Sequence, residues 1–321
     1  MIKILVSLQF VKCKSYEHSL IIYWTVLVWY WIGATCITGN QYIWTCKQEK
    51  LHFLFTDVST PVFQRQHDVR FAPAVVGIFG MALVSPDILL LSFFNLQKVQ
   101  LVDTREGRVV SEVKLQSNPR GVCLIRSDKA VVTVKGKKVQ MLHVFWQTLN
   151  MGIALDVKTE AVGITKVGDT SFVLLYVDSP WLEVITVDGN VVHQFEKNRT
   201  TKHFICPYFL TTSVDGYIYV SDWGTNKITE LNSSLQLIQT FSSPLLDSPR
   251  GIISISPDQL LVCSQGNHRI VLMNIRTGES SILLGEQDGI HTPTLLSYCH
   301  EQKRLYVAEW STNSLNVYRP S

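Results

Sequence analysis

Short apolar runs and polar breaks alternate along this chain in a repeating order. Runs of four to seven residues rich in Val, Ile, Leu and Tyr are separated by Asp-Gly, Ser-Pro, Gly-Asn and Thr-Gly. Such runs predict β-strands joined by tight turns, and no 3.6-residue amphipathic pattern of helical length follows residue 50. The order recurs with anchors at Gly80, Gly121, Gly163, Phe209, Gly251 and Leu295, spaced by roughly 41 to 46 residues. Five anchors are followed six or seven residues later by an aspartate: Asp87, Asp128, Asp169, Asp215 and Asp258. In the last repeat Gln302 stands near that place. A repeat of this length built from short strands is a propeller blade, which buries both faces only within a closed ring. The expectation is therefore an all-β, six-bladed propeller over residues 51–321, preceded by an apolar segment, residues 1–50.

The sixth repeat stops short of a fourth strand. An open sheet edge there would be a pairing hazard, so a strand from the N-terminal side is expected to close the ring. The first choice is LHFLFTD, Leu51 to Asp57; the second is VFQRQ, beginning at Val62.

The segment before the ring changes the picture. No charged residue lies between Ser19 and Cys46, and residues 20–37 are long enough to span a bilayer, with Lys3, Lys12 and Lys14 on the N-terminal side. A single-pass anchor with the propeller outside the cytoplasm is one reading. A segment packed on the ring is another, and a stretch that is not native coding sequence is a third.

Charge says little about partners. The chain carries 29 Lys/Arg and 26 Asp/Glu. Residues 1–72 hold seven and four of these, which leaves the propeller neutral. The seven cysteines form no CxxC or Cys/His ligand pattern, and several lie in apolar runs. This favours a reducing compartment, the cytoplasm, over a disulfide scaffold, and it excludes a zinc finger within the chain. The sequons at Asn198 and Asn232 matter only if the ring lies outside the cell.

Strand geometry supplies the candidate site. Adjacent strands of a blade run antiparallel, so the approach to each first strand and the turn between its second and third strands emerge at one end of the ring. At that end fall Arg120, Lys135, Lys137, Lys138, Trp181, Trp223, Asn226, Lys227, Arg250, Arg269, Trp310 and Asn313. Cations interleaved with aromatics suit single-stranded RNA, through phosphate neutralisation and stacking. They suit an acidic and apolar protein surface equally well. Trp223 and Trp310 could instead fill gaps between blades. Catalytic patterns are missing: there is no HExxH, G-x-S-x-G or P-loop. The first strands GMALV, GVCLI, GITKV, FLTTS, GIISI and LLSYC contain no Asp, Glu or His for a metal in the central channel. His203, His291 and His300 are scattered. No catalytic residue, metal or cofactor is therefore expected.

SQGNHRIVLMN from Ser264 to Asn274, IYVSDWGTNKITEL from Ile218 to Leu231 and LYVAEWSTNSLNVY from Leu305 to Tyr318 are variants of one unit. They resemble NHL repeats, with Asn267, His268 and Arg269 in the place of the naming triplet. The resemblance covers about residues 73–321 and is strongest in the last three blades. It implies a six-bladed propeller similar to the recognition domain of the tripartite-motif NHL proteins, which binds RNA or protein. The RING and B-box modules that carry ubiquitin ligation in that class are absent here, so ligation would need a partner in trans. Within the triplet, Asn267 is expected to take left-handed backbone and His268 a structural role, and Asp222 is expected to bond its own turn. IYVSDWGTNKI also resembles a YWTD-type receptor blade, which would suit a membrane-anchored, outward-facing propeller.

Overall fold

The computed structural model describes the backbone of residues 5–10, 22–38 and 41–55, and the backbone and side chains of residues 63–70, 77–176, 181–195, 203–310, 312 and 314–320. The chain divides into two compact units, Met1–Thr60 and Pro61–Ser321. In the first, Leu5–Phe10, Ile22–Thr38 and Gln41–Phe55 form an antiparallel sheet with the second strand in the middle. The apolar stretch from Ile22 onward is thus extended, in keeping with its Val, Ile, Thr, Trp and Tyr content; Leu20 and Ile21 lie outside the described residues. Among the described residues no helix is long and apolar enough to cross a membrane.

Six four-stranded antiparallel sheets make up the second unit. Their inner strands are Ile78–Ser85, Pro119–Arg126, Ala161–Val167, Pro207–Thr212, Pro249–Ser256 and Pro293–Cys299. Each inner strand packs against the next, and the sixth packs against the first, so the ring is closed. The protein is a six-bladed β-propeller. Within a blade the second and third strands are buried almost throughout, whereas the outer strands are largely exposed. The cores lie between blades: Leu90, Leu101, Val132 and Leu142 pack blade 1 on blade 2, and Val173, Val184, Ile218 and Leu231 belong to the core of blades 3 and 4.

The hub explains the anchors. A Cβ on Gly80 would lie 2.5 Å from the Arg120 carbonyl oxygen, and one on Gly251 would lie 2.5 Å from the Thr294 oxygen and 2.8 Å from Leu295 Cα. Glycine at these places lets neighbouring inner strands approach backbone to backbone. Hydroxyls from second strands tie the hub together: Ser92 donates to the Arg120 carbonyl, Thr133 to that of Val162, and Ser221 to that of Arg250.

The ring is closed by Phe63–Arg70, which pairs with Ser314–Pro320 as the outer strand of blade 6. This strand contains FQRQ of the second-choice segment; Val62 lies outside the described residues. The first choice is corrected: Leu51–Phe55 pair with Ile22–Val26 in the first unit, and Thr56 and Asp57 lie outside the described residues. The physical reason is exposure. An outer strand buries few side chains, and FQRQHDVR buries only Phe63 and Val69, whereas the almost wholly apolar LHFLF would leave large side chains in water. Two contacts lock the closure. His67 Nε2 lies 3.1 Å from the Thr104 carbonyl oxygen, and buried Arg304 of blade 6 pairs with Asp87 of blade 1.

Two outcomes test this account. A truncation beginning at residue 71 should be less stable than one beginning at Pro61 by about 3–6 kcal/mol, the worth of burying one Phe and one Val. Equal denaturant midpoints would show that the outer strand is dispensable. At the hub, Gly251→Ala should destabilise by about 1–3 kcal/mol. It should cost more than Gly163→Ala, whose first obstacle is a movable Leu210 methyl at 2.5 Å; thermal melts of the two variants decide the order.

Candidate functional site

Every inner strand carries a β-bulge at the same place, just after it begins. The pairing slips between Ile78 and Gly80, between Ala161 and Gly163, between Pro207 and Phe209 and between Pro293 and Leu295. The corresponding slips in blades 2 and 5 lie just after Pro119 and Pro249. A bulge adds an unpaired residue and re-aims its side chain. The residues so placed are Phe79, Arg120, Val162, Tyr208, Arg250 and Thr294, one per blade at the same end of the channel. Each immediately precedes a repeat anchor, a signal present in the sequence.

Contacts around this mouth join blades that are not neighbours. Blade 3 contributes the short Val162, and Arg120 of blade 2 reaches past it, so that its Nη1 donates to the Tyr208 hydroxyl of blade 4 at 3.0 Å. Arg120 also pairs with Glu160 and lies over the Phe94 ring, 5.6 Å from its centroid. Its charge is therefore neutralised, although its buried Nε has no partner. Arg250 differs. Its Nε donates to Gln265 Oε1 at 3.0 Å, the Gln265 amide donates onward to Thr294 Oγ1 at 3.2 Å, and the guanidinium lies over Trp223, 4.8 Å from the centroid. Among the described residues no carboxylate lies within ion-pair distance of it, and desolvation lowers its pKa from the usual arginine value. Phe79 packs on Phe94 and edge-on against Trp310.

Below the mouth the channel encloses about 560 Å³. Met81, Leu83, Cys123 and Leu124 line it from blades 1 and 2, Thr165, Lys166 and Thr211 from blades 3 and 4. Among the described residues no Asp, Glu or His lines it. Among the described residues no group of three or more His, Cys, Asp or Glu could hold a metal ion.

The residues expected from sequence divide into three groups. Arg120 and Arg250 are at the mouth, with Trp223 and Trp310 beside it. These two tryptophans are 39% and 52% exposed, too open to be gap fillers between blades. Lys135, Lys137 and Lys138 stand exposed on the turn between the second and third strands of blade 2, at the rim, and Lys138 pairs with Asp156 at 3.4 Å. Exposed Lys227 and half-buried Arg269 begin third strands at the same end. The rest are occupied elsewhere. Trp181 stacks on Tyr176 with its centroid 4.9 Å away, carries the Lys158 ammonium over its ring and packs against the core between blades 2 and 3. Asn226 holds left-handed backbone, and its Oδ1 accepts from the Ser248 N–H at 2.8 Å. Asn313 lies outside the described residues. In the triplet the left-handed residue is His268, with φ 59°, and not Asn267, whose side-chain amide donates to the Leu245 carbonyl. Asp222 accepts from Gly224 in its own turn and also from the Ile205 and Cys206 N–H groups. Sequence reasoning missed Phe79, Phe94, Glu160, Tyr208, Gln265 and Thr294.

The site thus belongs to a β-propeller with an aromatic and cationic mouth. No protein-family model matches the sequence, and no curated protein sequence matches it. Solved structures do match. A Bacteroides thetaiotaomicron protein of unknown function superposes with a TM-score of 0.67 at 11% identity, over 98% of each chain. Virginiamycin B lyase from Staphylococcus aureus gives a TM-score of 0.58 at 15% identity, over 79% of this chain and 85% of its own. A catalytically inactive His-to-Ala variant of that lyase, solved with quinupristin, gives 0.57 at 16% identity, over 80% and 88%. At such identities the likeness shows the fold.

Cys123 offers a test of the channel. It lines the cavity, and burial pushes its thiol up to about 12. Too little thiolate is present at neutral pH for ready alkylation. Iodoacetamide should therefore label Cys123 at least about tenfold more slowly than a free thiol at pH 7.5, with the rate still climbing at pH 10. Peptide mapping measures this; labelling as fast as a free thiol would contradict the burial.

Proposed function

We propose that this protein is a non-catalytic recognition propeller that binds a macromolecule on the end of the ring bearing the mouth, in a reducing compartment such as the cytoplasm. The observation that carries the reading is the concentration there of exposed aromatics and of cations without a carboxylate partner among the described residues, over a channel whose described lining holds no Asp, Glu or His. A protein surface fits best. Acidic groups are interleaved with the cations at this end, with Glu160 on Arg120 and Asp156 on Lys138, and such mixed charge suits a mixed partner better than a run of phosphates. The four described thiols Cys123, Cys206, Cys263 and Cys299 are free, in keeping with a reducing compartment. The NHL-like triplet in blade 5 supports the same class of function, as does the similarity of the last blades to tripartite-motif NHL recognition domains.

Single-stranded RNA is the second reading, favoured by Lys135 and Lys137, which are exposed and make no ion pair among the described residues. A lyase or hydrolase has less support, because Glu160, the carboxylate at the mouth, is held by Arg120.

Crosslinking in cells, followed by identification of both proteins and RNA, tests the proposal. A Lys135→Ala, Lys137→Ala double variant should lose protein crosslinks while its melting temperature stays unchanged. If RNA is the partner, the double variant should instead flatten the salt dependence of binding, by about 0.7 in log–log slope per lost phosphate contact. Protein capture indifferent to both substitutions would overturn the assignment of this face.

A further inference from the structure

At the mouth a half-buried arginine, Arg250, is fixed in place with no carboxylate partner among the described residues, and the glycine that follows it, Gly251, lines the channel. Arg250 is held at three points: its backbone carbonyl accepts from Ser221 Oγ at 2.6 Å, its Nε is bonded to Gln265, and its guanidinium plane lies over Trp223. Among the described residues its terminal nitrogens have no hydrogen-bond partner. Burying a cation without a counter-charge is costly. The other mouth arginine avoids that cost through Glu160; Arg250 has only the ring of Trp223 and a neutral amide. A guanidinium with a free planar fork is matched to a carboxylate or phosphate. Apolar side chains supply most of the wall below, among them Met81, Val122, Ile164, Leu210, Ile252 and Leu296, with Thr165, Lys166 and Thr211 as polar groups between them. A concave apolar space of several hundred Å³ with a few fixed polar groups at one end is the ordinary form of a small-molecule site.

We infer that the channel mouth is a binding site for a small organic anion, a carboxylate or phosphate monoester with an apolar body, whose charged group sits on Arg250 and whose body enters the channel. The assignment is independent of the macromolecular reading. That reading is tested at the rim lysines of blade 2, and this one at residues inside the ring. Trp223 and Phe79 flank the opening, and the Arg250–Gln265–Thr294 chain of hydrogen bonds ties the site to blade 6.

The test uses the full chain and fluorine NMR with three probes: 4-fluorophenylacetate, its neutral amide and 4-fluorophenyl phosphate. A ligand of about eleven heavy atoms at ordinary ligand efficiency binds near 1 mM. One or both anions should show saturable binding, and the amide should bind at least about tenfold more weakly, because it lacks the charge-assisted pair. The tighter of the two anions names the head group. Arg250→Gln should reduce anion binding to the level of the amide, and Lys135→Gln should leave it unchanged. Acetate, which has the charge without the body, should fail to displace the probe at equal concentration. Equal binding of acid and amide by the parent protein would falsify the site even if the Arg250 variant does not fold. Anion binding that is not saturable, that survives Arg250→Gln, or that acetate displaces equally well would overturn it too.

Discussion

The ring depends on how closely the inner strands of adjacent blades approach. At Gly80, Gly121 and Gly251 the obstacles a Cβ would meet include backbone atoms of the next blade, at 2.5 to 2.9 Å. Backbone cannot swing aside as a long side chain does, so the residue type at these positions sets the diameter of the hub. The same crowding accounts for the bulges. A strand pressed against its neighbour at one end relieves the mismatch by looping out one residue, and that residue is the one that faces the mouth. Ring closure and the mouth thus meet at one place in each inner strand, although blades 4 and 6 carry the bulge with Phe209 and Leu295 where the others have glycine.

Packing outward from the hub becomes progressively less constrained. Second and third strands are sealed between sheets, and in blades 3 and 4 a buried tyrosine of the second strand is paired with a glutamate of the third. Tyr176 donates to Glu183, which also accepts from Gln194, and Tyr219, Glu230 and Gln239 repeat the arrangement in the next blade. Burial, followed by the bond to Glu183, raises the Tyr176 phenol and keeps it protonated as the donor. Outer strands meet water on one face and tolerate a wide range of sequences. That tolerance is why a polar segment such as FQRQHDVR can serve as the last of them.

Fold class, repeat length and anchor positions were all legible in the sequence, because each follows from strand periodicity and antiparallel geometry. The closing strand was misassigned because apolar content is a poor guide at an edge, where exposure favours polarity. Trp181 was assigned to the surface because a loop position does not reveal that its ring stacks on Tyr176. The mouth was half seen. Arg120 and Arg250 stood out as charges, whereas Phe79, Tyr208 and Thr294 share their position but not their chemistry. Only alignment of the repeats on the bulge, rather than on residue type, brings the six together. Gln265 gave no local signal, since its role depends on a neighbour from the next blade.

The outer strand of blade 6 precedes the first blade in the chain, and its partner, Ser314–Pro320, follows almost the whole ring. About 250 residues separate the paired segments, a separation at which loop-closure entropy is high and pairing slow. During synthesis, blades 1 to 5 have their own four strands as soon as each is made, but residues 63–70 must wait for the far end of the propeller. Until then the emerging ring has two raw faces, one on blade 1 and one on whichever blade is newest. The bond between first strand and last makes the arrival of Ser314–Pro320, rather than the completion of any earlier blade, the event that closes the ring.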